Sequence, residues 1–203
     1  MERTIICISR QYGSGGREVG EMLAKDLGVA YYDKKLVYIA AEKSGYSPEA
    51  FVNQHEEVGR GFSWLLSYAP HSMTIGGIPL DDQLFIAQAN TIKDIAREHS
   101  CVIVGRCSDY ILRDYDRCVS LFLHAPLERR VARIIRTENM DEAQARAAIA
   151  RTDRRRADNY NYYTNQTWGY SDHYDLCIDT TLGREFILDA VCEVMKQKEA
   201  VEG

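Results

Sequence analysis

Ile5-Ile6-Cys7-Ile8-Ser9-Arg10-Gln11-Tyr12-Gly13-Ser14-Gly15-Gly16-Arg17-Glu18 opens as an apolar run, turns through three glycines and enters a helix. Val19, Met22, Leu23 and Leu27 follow at helical spacing. A strand, a glycine-rich loop and a helix start in that order form a natural phosphate cradle. Glycines allow φ > 0 and let backbone N–H groups approach an anion closely. The helix N-terminus adds partial positive charge at the same point. The plain alternative is a glycine-rich turn that holds no ligand.

The common phosphate-loop pattern reads G-x-x-x-x-G-K-[ST], with Lys on the β and γ phosphates and Ser or Thr on Mg²⁺. With Gly15 as the last glycine, Arg10 stands at the first glycine, Gly16 at the lysine and Arg17 at the hydroxyl residue. Shifted by one, Gln11 and Gly16 take the glycine places, Arg17 the lysine place and Glu18 the hydroxyl place. Neither register completes the motif.

Outward from this stretch, four more strand-like runs appear: Val29–Asp33, Cys101–Gly105, Cys118–His124 and Asp175–Asp179. Mostly apolar runs separated by helical segments predict a parallel sheet covered on both faces, a doubly wound α/β fold. Ligands in such folds sit beyond the carboxyl ends of the strands. Nearly seventy residues separate the second and third strands, and the stretch 44–81 within them is too long for a plain loop in a compact domain. Helices are expected over 34–43 and 82–99. Between them, residues 44–81 hold Gly, Pro and the aromatics Phe51, Phe62, Trp64 and Tyr68. We read them as a small lobe, with a decoration or an oligomer contact as the alternative.

The fourth interval carries arginines. Pro126–Glu138 reads as a helix with Arg129, Arg130, Arg133 and Arg136; 141–159 reads as another, with Arg146, Arg151, Arg154, Arg155 and Arg156. Arg151 and Arg155 share a helix face. Phosphoryl transfer needs positioning and positive charge more than covalent chemistry, and arginine's planar fork binds two phosphate oxygens at once. The alternative is a solvated helix face paired with Glu138, Asp141, Glu142 and Asp153. Arg106 ends the third strand in Val-Ile-Val-Gly105-Arg106 and points to the ligand crevice; Asp33 ends the second, as an acceptor contact or an N-cap.

A net charge of −5 argues against a general nucleic-acid surface while leaving room for a basic pocket. No apolar run reaches a membrane span, and no signal-peptide pattern opens the chain, so a cytoplasmic protein is expected. The six cysteines form no C-x-x-C pair; Cys7, Cys101, Cys118 and Cys177 read as small buried hydrophobes.

With these residues in view, the chain resembles the nucleoside monophosphate kinases, and most closely their cytidylate kinase-like branch. The likeness rests on the opening loop, Tyr31-Tyr32-Asp33, Val-Ile-Val-Gly105-Arg106, Leu121-Phe122-Leu123-His124-Ala125-Pro126 with Glu128-Arg129-Arg130, the Arg151–Arg156 cluster and Cys177-Ile178-Asp179-Thr180-Thr181. It implies one P-loop kinase domain over residues 1–203, with a five-stranded parallel sheet in the order 2-3-1-4-5. It also implies an acceptor lobe at 44–81 and an arginine-rich lid at 138–170. ATP with Mg²⁺ would be donor, and CMP or dCMP acceptor. By position, Gly13, Ser14, Gly15, Gly16, Arg17 and Glu18 would hold the ATP phosphates. Asp33 and Arg106 would face the acceptor, and Arg17, Arg151, Arg155 and Arg156 would serve catalysis. In the match to cytidylate kinase itself, the apolar helix positions align when Gly16 takes the lysine place; Arg17 then lies one residue beyond it, and Glu18 replaces that family's hydroxyl residue. Cytidylate kinases read Gly-Arg-Asp where this chain reads Gly105-Arg106-Cys107. The metal ligands stay unassigned, and a monomer or homodimer is expected. Two alternatives stand beside this reading: a nucleotide-binding regulatory protein without catalysis, which the absent lysine favours, and a kinase of another small acceptor.

Overall fold

The computed structural model describes residues 3–33, 35–45, 74–75 and 78–201. The chain divides into two compact units, residues 1–33 with 96–203, and residues 34–95. In the first unit, five strands form one parallel sheet: β1 (Ile5–Arg10), β2 (Ala30–Tyr32), β3 (Cys101–Val104), β4 (Cys118–His124) and β5 (Leu176–Asp179). Their spatial order is β2-β3-β1-β4-β5, the order 2-3-1-4-5 expected above. Seven α-helices occur among the described residues.

β1 sits at the centre. Its first five residues are buried because both faces of the sheet are covered, which is why β1, β3 and β4 read as continuous apolar runs. Ile6 and Ile8 pack with Val102, Val104, Leu121 and Leu123 beneath Leu23 of α1 (Gly16–Leu27) and Ile187 and Val191 of the closing helix α7 (Arg184–Val201). Val19, Met22 and Leu27 join the same cluster. The helix face expected from spacing is therefore the buried one. On the opposite face, Cys7 lies against Cys118, and Phe122 packs on Trp168 and Tyr174.

Local chemistry sets the helix ends. Gly15 precedes α1 in the left-handed region, and Gly28 closes it in the same region, each a position where a β-carbon would be strained. Helix α5 (Leu127–Glu138) ends at left-handed Asn139. Helix α6 (Glu142–Thr164) starts at a capping box of Asp141 and Gln144. It runs five residues beyond the expected 141–159, because Tyr160 and Thr164 bury themselves on one face and the Thr164 hydroxyl donates to the Tyr160 carbonyl at 2.6 Å. A short helix, α4 (Ser108–Ile111), follows β3. The remaining two helices are α2 (Lys35–Ser44) and α3 (Leu80–Glu98); in the second unit Val37, Ala40 and Ala41 pack against Leu84.

One cysteine departs from expectation. Cys7, Cys101, Cys107 and Cys118 are buried free thiols, but Cys177 is exposed, since it stands on edge strand β5 with its side chain on the outer side of the pleat. Most of the expected acceptor lobe at 44–81 lies outside the described residues. The expected lid at 138–170 is mainly α6. No helix among the described residues is long and apolar enough to cross a membrane.

Candidate active site at the carboxyl edge of the sheet

All five strands are parallel, so their carboxyl ends meet at one edge. That edge gathers Arg10, Asp33, Gly105 with Arg106, His124 and Asp179.

The loop after β1 is built into its surroundings. Gln11 N–H donates to the Leu123 carbonyl at 3.0 Å, and the Ser14 hydroxyl donates to the Gln11 carbonyl at 2.9 Å. The Thr180 hydroxyl lies 2.6 Å from the Ser14 carbonyl and 3.2 Å from that of His124. Gly13 and Gly15 have φ of +76° and +86°. A β-carbon on Gly13 would stand 3.0 Å from the Arg130 carbonyl, and one on Gly15 2.9 Å from the Arg133 guanidinium. Helix α5 thus lies directly on the loop.

A carboxylate clasps the loop to helix α6. Tyr12 N–H donates to Asp153 at 2.7 Å, and Arg130 donates to the same carboxylate at 2.5 Å and to the Tyr12 carbonyl at 3.3 Å. Arg156 donates to the Arg10 carbonyl at 2.8 Å, its guanidinium 5.7 Å from the centre of the Tyr12 ring. Helix α6 therefore meets the loop at two points one turn apart.

Beside the clasp opens a pocket of about 490 Å³ lined by Gly13, Ser14, Arg129, Arg133, Arg136 and Thr181. Arg133 crosses from it to Glu18 on the first turn of α1, 2.5 Å away. Glycine backbone and three arginines make a basin suited to a polyanion.

On the other side of the loop, Arg17 Nε donates to Asp33 at 2.8 Å. The Tyr31 hydroxyl lies buried nearby; burial first, and the Asp33 charge second, push its pKa up. Gly105, Arg106 and Cys107 have φ of +77°, +66° and +54°. Two consecutive non-glycine residues in the left-handed region cost free energy that the surroundings must supply, a frequent mark of a working turn. The carboxylate beyond this turn, Asp109, is 5% exposed and accepts hydrogen bonds from Tyr160 at 2.7 Å and Ser9 at 3.4 Å. Burial raises its pKa against those bonds. It ties β1, through Ser9, to α6, through Tyr160.

Among the sequence-predicted residues, the structure joins Arg17 to Asp33 and Arg156 to the loop backbone, and sets Glu18 against Arg133. Arg155 is half-buried on α6, its Nε shielded from solvent without a hydrogen-bond partner; Arg151 is exposed one turn earlier. Sequence reasoning placed Arg130, Arg133 and Asp153 on helices but gave none of them a site role. Arg130 and Asp153 lie twenty-three residues apart on different helices, a separation that carries no local signal.

The profile of the cytidylate kinase-like family matches residues 5–182. A search of curated proteins gave no match. Among solved structures, an uncharacterized protein from Eubacterium ventriosum is 26% identical with a TM-score of 0.69, covering 93% of this chain and 98% of its own. A shikimate kinase from Bacteroides thetaiotaomicron is 14% identical with a TM-score of 0.51, covering 98% and 99%. A gluconokinase from Sinorhizobium meliloti is 12% identical with a TM-score of 0.51, covering 99% and 98%. The last two show the fold alone, that of P-loop kinases. With the family profile spanning the loop, all five strands and the arginine-bearing helices, this chain belongs to the cytidylate kinase-like family.

Proposed function

We propose that the protein is an ATP-dependent phosphotransferase acting on a nucleoside monophosphate, with CMP or dCMP the first candidate. One observation supports this above the others: the glycine loop opens into a pocket lined by Arg129, Arg133 and Arg136. The pocket's charge fits a triphosphate. Among the described residues no group of three or more His, Cys, Asp or Glu side chains could hold a metal ion.

When bound, ATP·Mg²⁺ supplies the transferable phosphoryl group. The chain's own residues do the positioning. N–H groups of Gly13–Glu18 bind phosphate oxygens, with Arg17 at the start of the helix. Asp33 and Arg106 orient the acceptor from the ends of β2 and β3. Arg151, Arg155 and Arg156 on α6 would offset charge that grows on the transferring oxygens. Closure of α6 excludes water. An ionised acceptor phosphate is already a nucleophile, so no side chain need act as base.

The test is ADP release by the purified protein with ATP and Mg²⁺ against a panel of nucleoside monophosphates and small alcohols. Turnover with CMP or dCMP supports the acceptor named here. Turnover with another member keeps the phosphotransferase and moves the acceptor. ATP binding without turnover across the panel would overturn this reading in favour of a regulatory nucleotide-binding protein.

A further inference from the structure

The two departures from the phosphate-loop pattern turn out to be one. The pattern places glycine at the end of the strand and lysine at the start of the helix; this chain places Arg10 and Gly16 there. In the structure they interlock. A β-carbon at position 16 would stand 2.7 Å from Cβ and 2.8 Å from Cγ of Arg10. Gly16 has no positive φ and lies within α1, so its backbone makes no demand for glycine. Space alone requires it: the stem of Arg10 fills the place where a lysine stem would begin. The guanidinium then runs on to Gly105 at the end of β3, where a β-carbon would collide with Nη1 and lie 3.2 Å from Cζ. The head of Arg10 thus lies between the loop and the strained Gly105-Arg106-Cys107 turn, in the crevice at the carboxyl edge.

We infer that Arg10 and Gly16 are an exchanged pair: Arg10 supplies from the strand the cation that the usual loop supplies from the helix, and it binds the phosphates of the donor nucleotide. This rests on the proposed phosphotransferase reading and names the residue that does the lysine's work there. Charge and reach fit the task. A guanidinium offers a fixed fork to two phosphate oxygens, where an ammonium offers a point charge. Its carbonyl is held by Arg156 at 2.8 Å, so the strand end that carries it is anchored to α6.

The exchange makes a prediction that neither residue makes alone: the two positions must be non-additive. Binding of ATP with Mg²⁺ is measured by titration calorimetry, and thermal melting is followed alongside, for the full chain and its variants. Arg10→Ala should weaken ATP binding about tenfold or more, the loss of a charge-assisted phosphate contact. Arg10→Lys should retain part of the affinity. Gly16→Ala should lower the melting temperature, and adding Arg10→Gly, which removes both Cβ and Cγ at position 10, should restore it. R10G/G16K, which rewrites the usual pattern, should bind ATP within about threefold of the parent, whereas G16K alone should bind poorly or fail to fold.

Parental affinity in Arg10→Ala would overturn the cation assignment. Parental melting in Gly16→Ala, or no recovery in the double variants, would overturn the exchange. If the parent protein binds no ATP, the phosphotransferase reading falls and the cation assignment with it. The melting cycle, which needs no ligand, still decides whether the two positions interlock.

Discussion

Asp153 offers the sharpest test of how the site is held together. Its two oxygens take the Tyr12 N–H at 2.7 Å and Arg130 at 2.5 Å, and the side chains of Arg130 and Asp153 are only 10% and 17% exposed. Asp153→Ala removes an anion from a nearly buried pair and leaves Arg130 with the Tyr12 carbonyl at 3.3 Å as a neutral partner. Breaking a buried pair from one side costs about 3–5 kcal/mol. The remaining carbonyl bond puts this case at the lower end, about 3 kcal/mol. In a chain of this length each kcal/mol moves the melting temperature by about 2–4 °C, so the fall should be about 6–12 °C. Thermal unfolding by circular dichroism measures it. Glu128→Ala is the control: Glu128 also pairs with an arginine, Arg146, at 2.7 Å, but with 71% of its side chain exposed, and no measurable shift is expected. If Asp153→Ala melts as the control does, the clasp does not hold the loop and the reasoning fails.

Other consequences follow from the same geometry. Asp109 has a raised pKa in the folded protein because it is buried, so the native state keeps a proton that the unfolded chain releases. Stability then falls as pH rises from the ordinary carboxyl value, about 4, through the raised folded value. Asp109→Asn should flatten that fall, read as urea midpoints across the acid-to-neutral range; an unchanged slope would place the titration elsewhere. Gly13→Ala puts a β-carbon at φ +76° and 3.0 Å from the Arg130 carbonyl. It should cost about 2 kcal/mol, visible as a lower melting temperature; parental melting would mean that the loop yields easily. Thr180→Val removes the hydroxyl that reaches the Ser14 carbonyl at 2.6 Å. A loss of about 1 kcal/mol is expected by urea titration, and no loss would show that this contact does not anchor the loop.

Legibility in the sequence followed the range of each signal. The sheet was readable because its strands are short apolar runs buried on both faces, and the α1 face because Val19, Met22, Leu23 and Leu27 repeat at helical spacing. The order of the strands came from resemblance, not from periodicity, and the observed order agrees with it. The extension of α6 to Thr164 lay beyond the helix expected at 141–159; tertiary burial of Tyr160 and Thr164 decides it. The Asp153 clasp was illegible for a different reason. It joins the loop at Tyr12 to a helix one hundred and forty-one residues away, and a charged residue in a basic helix looks the same whether it faces water or a partner. Arg10 and Gly16 were each visible as departures from a motif, but only the geometry between them shows that one requires the other.

The central claim is that this chain moves a phosphoryl group from ATP to CMP or dCMP. The most direct measurement is transfer of label from γ-labelled ATP, with Mg²⁺, CMP and dCMP, resolved by thin-layer chromatography. The account predicts labelled CDP or dCDP that depends on the protein and is lost in Arg10→Ala. Label that stays in ATP with both acceptors, or that leaves only as free phosphate, would contradict it.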